Sequence, residues 1–334
     1  MKISHGKKKK IKKALRVTGG LFAAVLLIYL AYRGIGKLQS RQDAKDAAQQ
    51  DPGDLYYDGA WYDLRGDVDT VLLFGVDKYA EQFRAGAFIN DQQADFLLLL
   101  ILNNSQNTCY ALPLNRDTMT QVEHLDLNGG VMETAVEQLA LAHTYGSGGK
   151  DSGFNTLRAV SKLLYGVPLD HYIGISMDAV GVLADAVDGV PVLVEQDFSA
   201  VTDQLPRGQV ATLTDQLALQ FVRARGSVGE QTNIERMSRQ QQFVTAFYPR
   251  WKEKCSAGGD AFLAETLLKL SEYMATDCSA QTLSQFNEQI DACDFVLLDA
   301  PAGEAVKGEK FMEFYVEDEP LRDTVIKLFY EKCE

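Results

Sequence analysis

The run Asp95-Phe96-Leu97-Leu98-Leu99-Leu100-Ile101-Leu102-Asn103-Asn104-Ser105-Gln106-Asn107-Thr108-Cys109-Tyr110-Ala111-Leu112-Pro113-Leu114 decides the fold. Two apolar stretches, residues 95–102 and 108–114, flank a cluster of Asn, Ser and Gln. Short apolar runs bounded by turn residues predict buried strands, and the polar cluster predicts an antiparallel hairpin between them. Pairing Leu102 with Thr108 sets Asp95 opposite Asn115, beside Arg116 and Asp117. Upstream, residues 68–76 predict a third buried strand, closed by Asp77. If that strand is the antiparallel neighbour of the second, Asp77 and Asp95 converge at one edge of the sheet.

Outward from this centre, helical spacing recurs over residues 133–142, 155–164, 179–186, 235–251, 261–274 and 321–330. Residues 214–223 fit a helix or a helix followed by a strand. Short strands fit 172–175, 190–194, 295–298 and 311–316. Strands and helices intermixed on one sheet predict an α/β or α+β three-layer domain. That domain is expected over residues 64–334, with 255–334 either completing the sheet or forming a lid.

The amino end is different. Lys7 to Lys10, Lys12, Lys13 and Arg16 precede an uncharged run, residues 17–32, closed by Arg33. Such a run spans about 24 Å as a helix, short of a bilayer core of about 30 Å. Snorkelling by Arg16 and Arg33 and interfacial Tyr29 and Tyr32 make a single membrane-spanning anchor workable. A cleaved secretory signal is the competing reading, although Ala31-Tyr32-Arg33-Gly34 offers no small-x-small site. The anchor reading makes 1–16 a basic cytoplasmic tail, 17–32 a transmembrane helix, 33–63 a polar stalk, and the remainder extracellular, on the cell membrane.

The chain has 334 residues, 46% apolar and 24% charged, which excludes a disordered chain and a coiled coil. Its net charge of −13 hides a split: residues 1–46 hold 12 of the 33 Lys and Arg and only two acids. The rest is strongly acidic and a poor generic ligand for nucleic acid. Any anion it binds needs a local set of arginines. The five cysteines lack CxxC spacing, and His124, His143 and His171 lack ligand spacing, so no zinc motif is legible. A Cys278–Cys293 bridge is compatible with an extracellular setting. Gly146-Ser147-Gly148-Gly149 lacks the ending of a P-loop and is expected to connect helices, and no GxSxG elbow is present.

Two features point to chemistry. Asp77 and Asp95 near Arg116 suit Mg²⁺ with a phosphate, since Mg²⁺ takes one or two carboxylates plus phosphate oxygens; equally, both aspartates could simply end strands. Arg223 and Arg225, two apart, face one way on an extended segment. Arg236, Arg239, Gln240, Phe243 and Phe247 share one helix face. Arginines beside phenylalanines lie near a core and need an anion, either an internal carboxylate or a phosphate ligand.

In order, several segments resemble the LytR–CpsA–Psr family of membrane-anchored cell-envelope proteins. They are Val71-Leu72-Leu73-Phe74-Gly75-Val76-Asp77, Gln93-Ala94-Asp95-Phe96, Leu112-Pro113-Leu114-Asn115-Arg116-Asp117-Thr118 and Ala142-His143-Thr144-Tyr145-Gly146. Next come Leu164-Tyr165-Gly166-Val167-Pro168-Leu169-Asp170 and Asp188-Gly189-Val190-Pro191-Val192. Phe221-Val222-Arg223-Ala224-Arg225 and Arg236-Met237-Ser238-Arg239-Gln240-Gln241 complete the set, which covers about residues 68–250.

The resemblance implies an α/β fold, a three-layer α/β/α domain with a central mixed sheet, and an apolar pocket for a polyprenyl tail. It also implies Mg²⁺-dependent transfer of a polyprenyl-pyrophosphate-linked glycopolymer onto peptidoglycan, forming a phosphodiester. Asp77 and Asp95 would hold Mg²⁺; Arg116, Arg223, Arg225, Arg236, Arg239 and Gln240 would hold the pyrophosphate. Arg116, Asp117 and Arg225 would form the catalytic group, with Asp117 orienting Arg116 or taking the proton of the attacking hydroxyl. Two departures stand out: Gln93 where the family commonly has arginine, and Glu230-Gln231-Thr232-Asn233 in place of an acidic-Gly element. They leave room for a non-catalytic holder of polyprenyl phosphates or a lipid pyrophosphate hydrolase.

Overall fold

A computed structural model describes residues 55–77, 90, 92–126, 128–224, 228 and 233–333. The expected anchor, residues 17–32, and Arg225 lie outside the described residues. Among the described residues no helix is long and apolar enough to cross a membrane. The chain divides into two units, Met1–Asp63 and Leu64–Glu334. In the first, β1 (Leu55–Tyr57) and β2 (Ala60–Leu64) form a hairpin within the segment expected to be stalk. Its turn residues Asp58 and Gly59 both have positive φ, the conformation that matches strand twist in a two-residue hairpin loop.

The second unit opens with β3 (Val68–Val76), β4 (Ala94–Asn103) and β5 (Thr108–Pro113). A side hairpin follows, β6 (Met119–Leu125) and β7 (Val131–Gln138), then a 3₁₀ turn (Leu139–Thr144), α1 (Lys150–Leu163) and β8 (His171–Ser176). Next come α2 (Ala179–Ala186), β9 (Val190–Leu193), β10 (Val210–Leu213), α3 (Asp215–Arg223) and the long α4 (Asn233–Leu270). The chain closes with β11 (Met274–Thr276), α5 (Ala280–Ala292), β12 (Asp294–Leu297), β13 (Gly303–Lys307), β14 (Met312–Val316), α6 (Asp318–Phe329) and β15 (Tyr330–Lys332).

The central sheet has the order β11-β8-β3-β4-β5-β12. It is mixed: β3, β4 and β5 run antiparallel in turn, whereas β8 is parallel to β3 and β12 is parallel to β5. Residues 255–334 therefore complete the sheet at both edges, through β11 and β12. Because side chains alternate along a strand, each central strand feeds two cores. Leu72, Phe74, Leu97, Leu99 and Ile101 pack with Leu157 and Val160 of α1 and Val325 of α6. Val71, Leu98, Leu100 and Leu102 pack with Phe286 of α5 and Val244 of α4 on the other face. A third core joins α2, α3, β9 and β10 to Phe243 of α4.

Three expectations are corrected. Residues 133–142 are not a helix: Val131–Gln138 is a strand paired with β6, and only Leu139–Thr144 turns, as 3₁₀. Alternating Val, Thr and Glu fit a half-exposed hairpin, and the helix-like spacing belonged to the short turn after it. The central hairpin is one residue out of the expected register, with Asn103, not Leu102, opposite Thr108. Asn103 stays in the strand while its Oδ1 accepts the N–H of Gln106, so four residues make the turn. The predicted helices at 235–251 and 261–274 belong to one helical run broken at Gly259, whose backbone is non-helical, and Met274 opens β11. Cys278 and Cys293 are both free thiols.

Candidate functional site

The pairing of β3 with β4 contains one irregularity, and it falls at Asp95. Gly75 opposes Phe96 and Val76 opposes Ala94, leaving Asp95 as the extra residue of a β-bulge. A bulge resets the alternation of side chains and re-aims the unpaired one. Accordingly Phe96 belongs with the helix α4 and α5 side of the sheet, whereas Ala94, two residues on, packs in the opposite core. Asp77 follows Val76 at the same end of the sheet and is exposed. The two carboxylates therefore leave adjacent strands at one strand end.

Arginines meet both. Arg116, just past β5, pairs through Nη1 with Oδ1 of Asp95, and its Nε lies 3.2 Å from Oδ1 of Asp117. From the first turn of α4, Arg236 reaches Asp95 twice: Nη2 donates to the backbone carbonyl at 3.1 Å and Nη1 lies 3.6 Å from Oδ2. Arg223 pairs with Asp77 at 3.1 Å, both side chains about half exposed. For Arg236, the anion that its burial demands is thus an internal carboxylate.

Two of the expected clamp residues sit differently from the expectation. Arg223 is the last residue of α3, not part of an extended segment. Arg239 spends its donors at the carboxyl end of that helix: Nε on the carbonyl of Phe221 at 3.0 Å, Nη2 on that of Ala224 and Nη1 on Oε1 of Gln196. Helix ends leave such carbonyls unpaired, and a cation there also suits the helix dipole. Burial lowers the pKa of Arg239 below the usual arginine range. It secures the chain that leads into Arg225.

An amide network, not visible in the sequence, knits the site. Oδ1 of Asn115 accepts from the backbone N–H of Asp117 at 3.0 Å and from Nδ2 of Asn233 at 2.8 Å. Oδ1 of Asn233 in turn accepts from Nη2 of Arg236 at 2.8 Å. Gln138 at the end of β7 donates to Oδ1 of Asp117 at 3.0 Å and to the carbonyl of Met312 at 2.7 Å. Behind Asp95, Asn90 donates to the carbonyls of His143 and Thr144, and Nδ1 of His143 lies 2.9 Å from the carbonyl of Gln92. The His143-Thr144-Tyr145-Gly146 segment is thereby a support for the approach to the bulge. Burial drives the pKa of His143 down to about 4.

An apolar cavity of about 310 Å³ opens between the sheet and helices α4 and α5. Gly75, Phe96, Leu98, Val244, Phe247 and Phe286 are among its walls. Gly75 and Phe96 adjoin the strand ends that carry Asp77 and Asp95, so the cavity reaches the charged site. Gln240, four residues along α4 from Arg236, also lines the cavity, 5% exposed, and among the described residues neither of its amide atoms has a hydrogen-bond partner. A buried unsatisfied amide costs about 1–3 kcal/mol, a cost that a polar ligand group would remove.

Asp77 and Asp95 offer only carboxylate oxygens, the donor type that a hard divalent cation takes, and in this structure those oxygens are paired with Arg223 and with Arg116 and Arg236. The departure Gln93 is exposed beside Asp95.

The sequence pattern of the LytR_cpsA_psr family matches residues 31–298. A polyisoprenyl-teichoic acid–peptidoglycan teichoic acid transferase TagU of Halalkalibacterium halodurans is 28% identical over 71% of this chain and 71% of its own. A TagU of Bacillus mycoides is 29% identical over 53% of this chain, which spans half its length. Among solved structures, TagT bound to LI-WTA superposes with a TM-score of 0.59 at 18% identity, over 79% of this chain and 90% of that one. TagV of Bacillus subtilis does so with a TM-score of 0.58 at 20% identity, over 79% and 98%. These likenesses carry the mixed α/β fold.

Proposed function

Because the chain belongs to the LytR–CpsA–Psr family, with its charged site at the end of an apolar cavity, we propose that it transfers a glycopolymer from a polyprenyl-pyrophosphate carrier to peptidoglycan. The relatives' teichoic acid transferase activity supports this reading. The observation that carries it is the junction of the two environments. A lipid pyrophosphate is an apolar chain ending in a multiply charged group, and Phe96 and Asp95 are consecutive residues facing one and the other.

In the reaction, a peptidoglycan hydroxyl attacks the phosphorus that bears the glycan. The new P–O bond makes a phosphodiester, the bond to the bridging oxygen breaks, and polyprenyl phosphate leaves with that oxygen's electron pair. Such transfers ask chiefly for positioning and charge neutralisation. Arg116, Arg223 and Arg236 surround the strand ends, Arg225 belongs to the same clamp by family position, and Gln240 offers its free amide where the headgroup meets the chain. Arg239 acts at one remove by fixing the end of α3. Mg²⁺, held by Asp77 and Asp95, would supply further neutralisation of the pyrophosphate when bound. Asp117 is oriented by Gln138 and Arg116, and in this reading it accepts the proton of the attacking hydroxyl.

The anchor at residues 17–32 would hold residues 33–334 outside the cell membrane, where both the lipid carrier and the peptidoglycan are found. Support comes from the basic flank and the uncharged run.

The test is an assay of the full chain with a synthetic polyprenyl-pyrophosphate glycan, Mg²⁺ and peptidoglycan fragments. Acceptor-dependent release of polyprenyl phosphate, lost in Asp95→Asn and Arg116→Ala, is the expected result. Release with water alone would make the protein a hydrolase. Binding without turnover would make it a carrier-lipid holder, the outcome that the Gln93 departure would then explain.

A further inference from the structure

At the opposite end of the sheet from Asp77, a second cluster of ligating side chains is assembled. β8 runs parallel to β3 with His171 level with Val71, whereas Ser176 is level with Val76, next to Asp77. β11 pairs antiparallel with β8, Thr276 opposite Ile173, so the residues after β11 pass beside the start of β8. Asp277 is fixed there by three contacts. Its Oδ1 accepts the N–H of Tyr172 at 2.9 Å, its Oδ2 lies 2.8 Å from Nδ1 of His171, and Sγ of Cys278 lies 4.0 Å from Oδ1. One nitrogen of His171, one carboxylate oxygen of Asp277 and Sγ of Cys278 all lie within 4.8 Å of one another, and all three residues are half-buried. Among the described residues it is the one such group of three.

We propose that His171, Asp277 and Cys278 form a zinc site, separate from the Asp77–Asp95 site and independent of the transfer reading. The mixed nitrogen, oxygen and sulfur donors select a borderline metal over Mg²⁺, which prefers oxygen alone. Tetrahedral zinc with bonds of about 2.0–2.3 Å puts donors roughly 3.5 Å apart, so Nδ1 of His171 and Oδ2 of Asp277, now 2.8 Å apart, would widen while Sγ of Cys278 would close in. Three protein ligands leave the fourth position to water.

The consequence is structural. Cys278 stands just before Ser279, the residue whose side chain caps α5. Phe286 of that helix packs edge-on against the His171 ring, centroids 5.6 Å apart, and also walls the apolar cavity. A metal here ties the start of α5 to the central sheet and so stiffens the cavity wall.

The experiment uses the full, untagged chain, stripped with chelator and titrated with Co²⁺. Expected is a stoichiometric thiolate-to-cobalt charge-transfer band in the near ultraviolet, displaced by Zn²⁺, with a rise in the melting temperature on zinc binding. Cys278→Ser and His171→Gln should each abolish the band or weaken Co²⁺ affinity at least tenfold. Cys255→Ser, which removes a thiol of α4, should leave it intact. Absence of the band in the wild type, or its persistence in Cys278→Ser, would overturn the proposal. The wild-type readout decides even if one variant fails to fold.

Discussion

Arg236 holds Asp95 by backbone and side chain at once, Nη2 on the carbonyl at 3.1 Å and Nη1 3.6 Å from the carboxylate, with both side chains under a tenth exposed. The bulge frees Asp95 from the strand ladder, and Arg236 fixes where it goes. Truncating one partner of a buried ion pair strands the other and costs roughly 3–5 kcal/mol. Arg236→Met should lose about that much stability in denaturant titrations, together with transfer activity. A loss below about 1 kcal/mol would show that Arg116 alone compensates Asp95.

The cavity offers a separate test, because filling it removes room without touching a charge. Val244 of α4 lines it beside Leu98 and Leu100. Val244→Trp should displace part of a bound polyprenyl chain. Each methylene kept from burial costs about 0.8 kcal/mol, so excluding two or three lowers affinity roughly 15-fold to 60-fold. Binding of a synthetic polyprenyl phosphate, followed by native mass spectrometry, should weaken accordingly while the melting temperature changes little. Unchanged affinity would place the chain elsewhere.

Much of this geometry is local and was therefore legible. The runs 68–76, 95–102 and 108–114 read as buried strands, and antiparallel pairing was the condition for bringing Asp77 and Asp95 to one sheet edge, a condition that the β3–β4 pairing meets. The face of α4 was equally plain: Arg236, Arg239, Gln240 and Phe243 are all buried, as their spacing required. Hidden from the sequence was everything that depends on a one-residue shift or on long-range pairing. Asn103 rather than Leu102 opposes Thr108, and no composition marks Asp95 as a bulge. The partners of Arg239 are backbone carbonyls, which no side-chain pattern reveals. His171 and Asp277 meet through the β8–β11 pairing across 106 positions, far beyond any ligand spacing.

His143 gives the fold a pH dependence. Its ring is fully buried, and burial holds its pKa down at about 4, below the ordinary value near 6.5. As pH falls between those values the unfolded chain takes up a proton that the folded chain refuses. Stability from this group is therefore complete above about pH 6.5 and declines toward pH 4, by up to about 1.4 kcal/mol per unit. Denaturant midpoints at pH 7.5, 6 and 5 should fall more steeply for the wild type than for His143→Gln. Equal slopes would remove His143 as the source.

Gln138 tests how Asp117 is used. Its amide nitrogen serves Oδ1 of Asp117 and the carbonyl of Met312 together, from a buried position at the end of β7. Gln138→Leu keeps the bulk and removes both donors, which leaves the buried carboxylate of Asp117 short of a partner at a cost of about 1–3 kcal/mol. A carboxylate that must meet an attacking hydroxyl suffers from lost orientation in the transition state more than in the bound state. The variant should therefore lower kcat about tenfold or more with KM for the lipid donor nearly unchanged. A rise in KM at constant kcat would instead give Asp117 a place in donor binding, through its contact with Arg116.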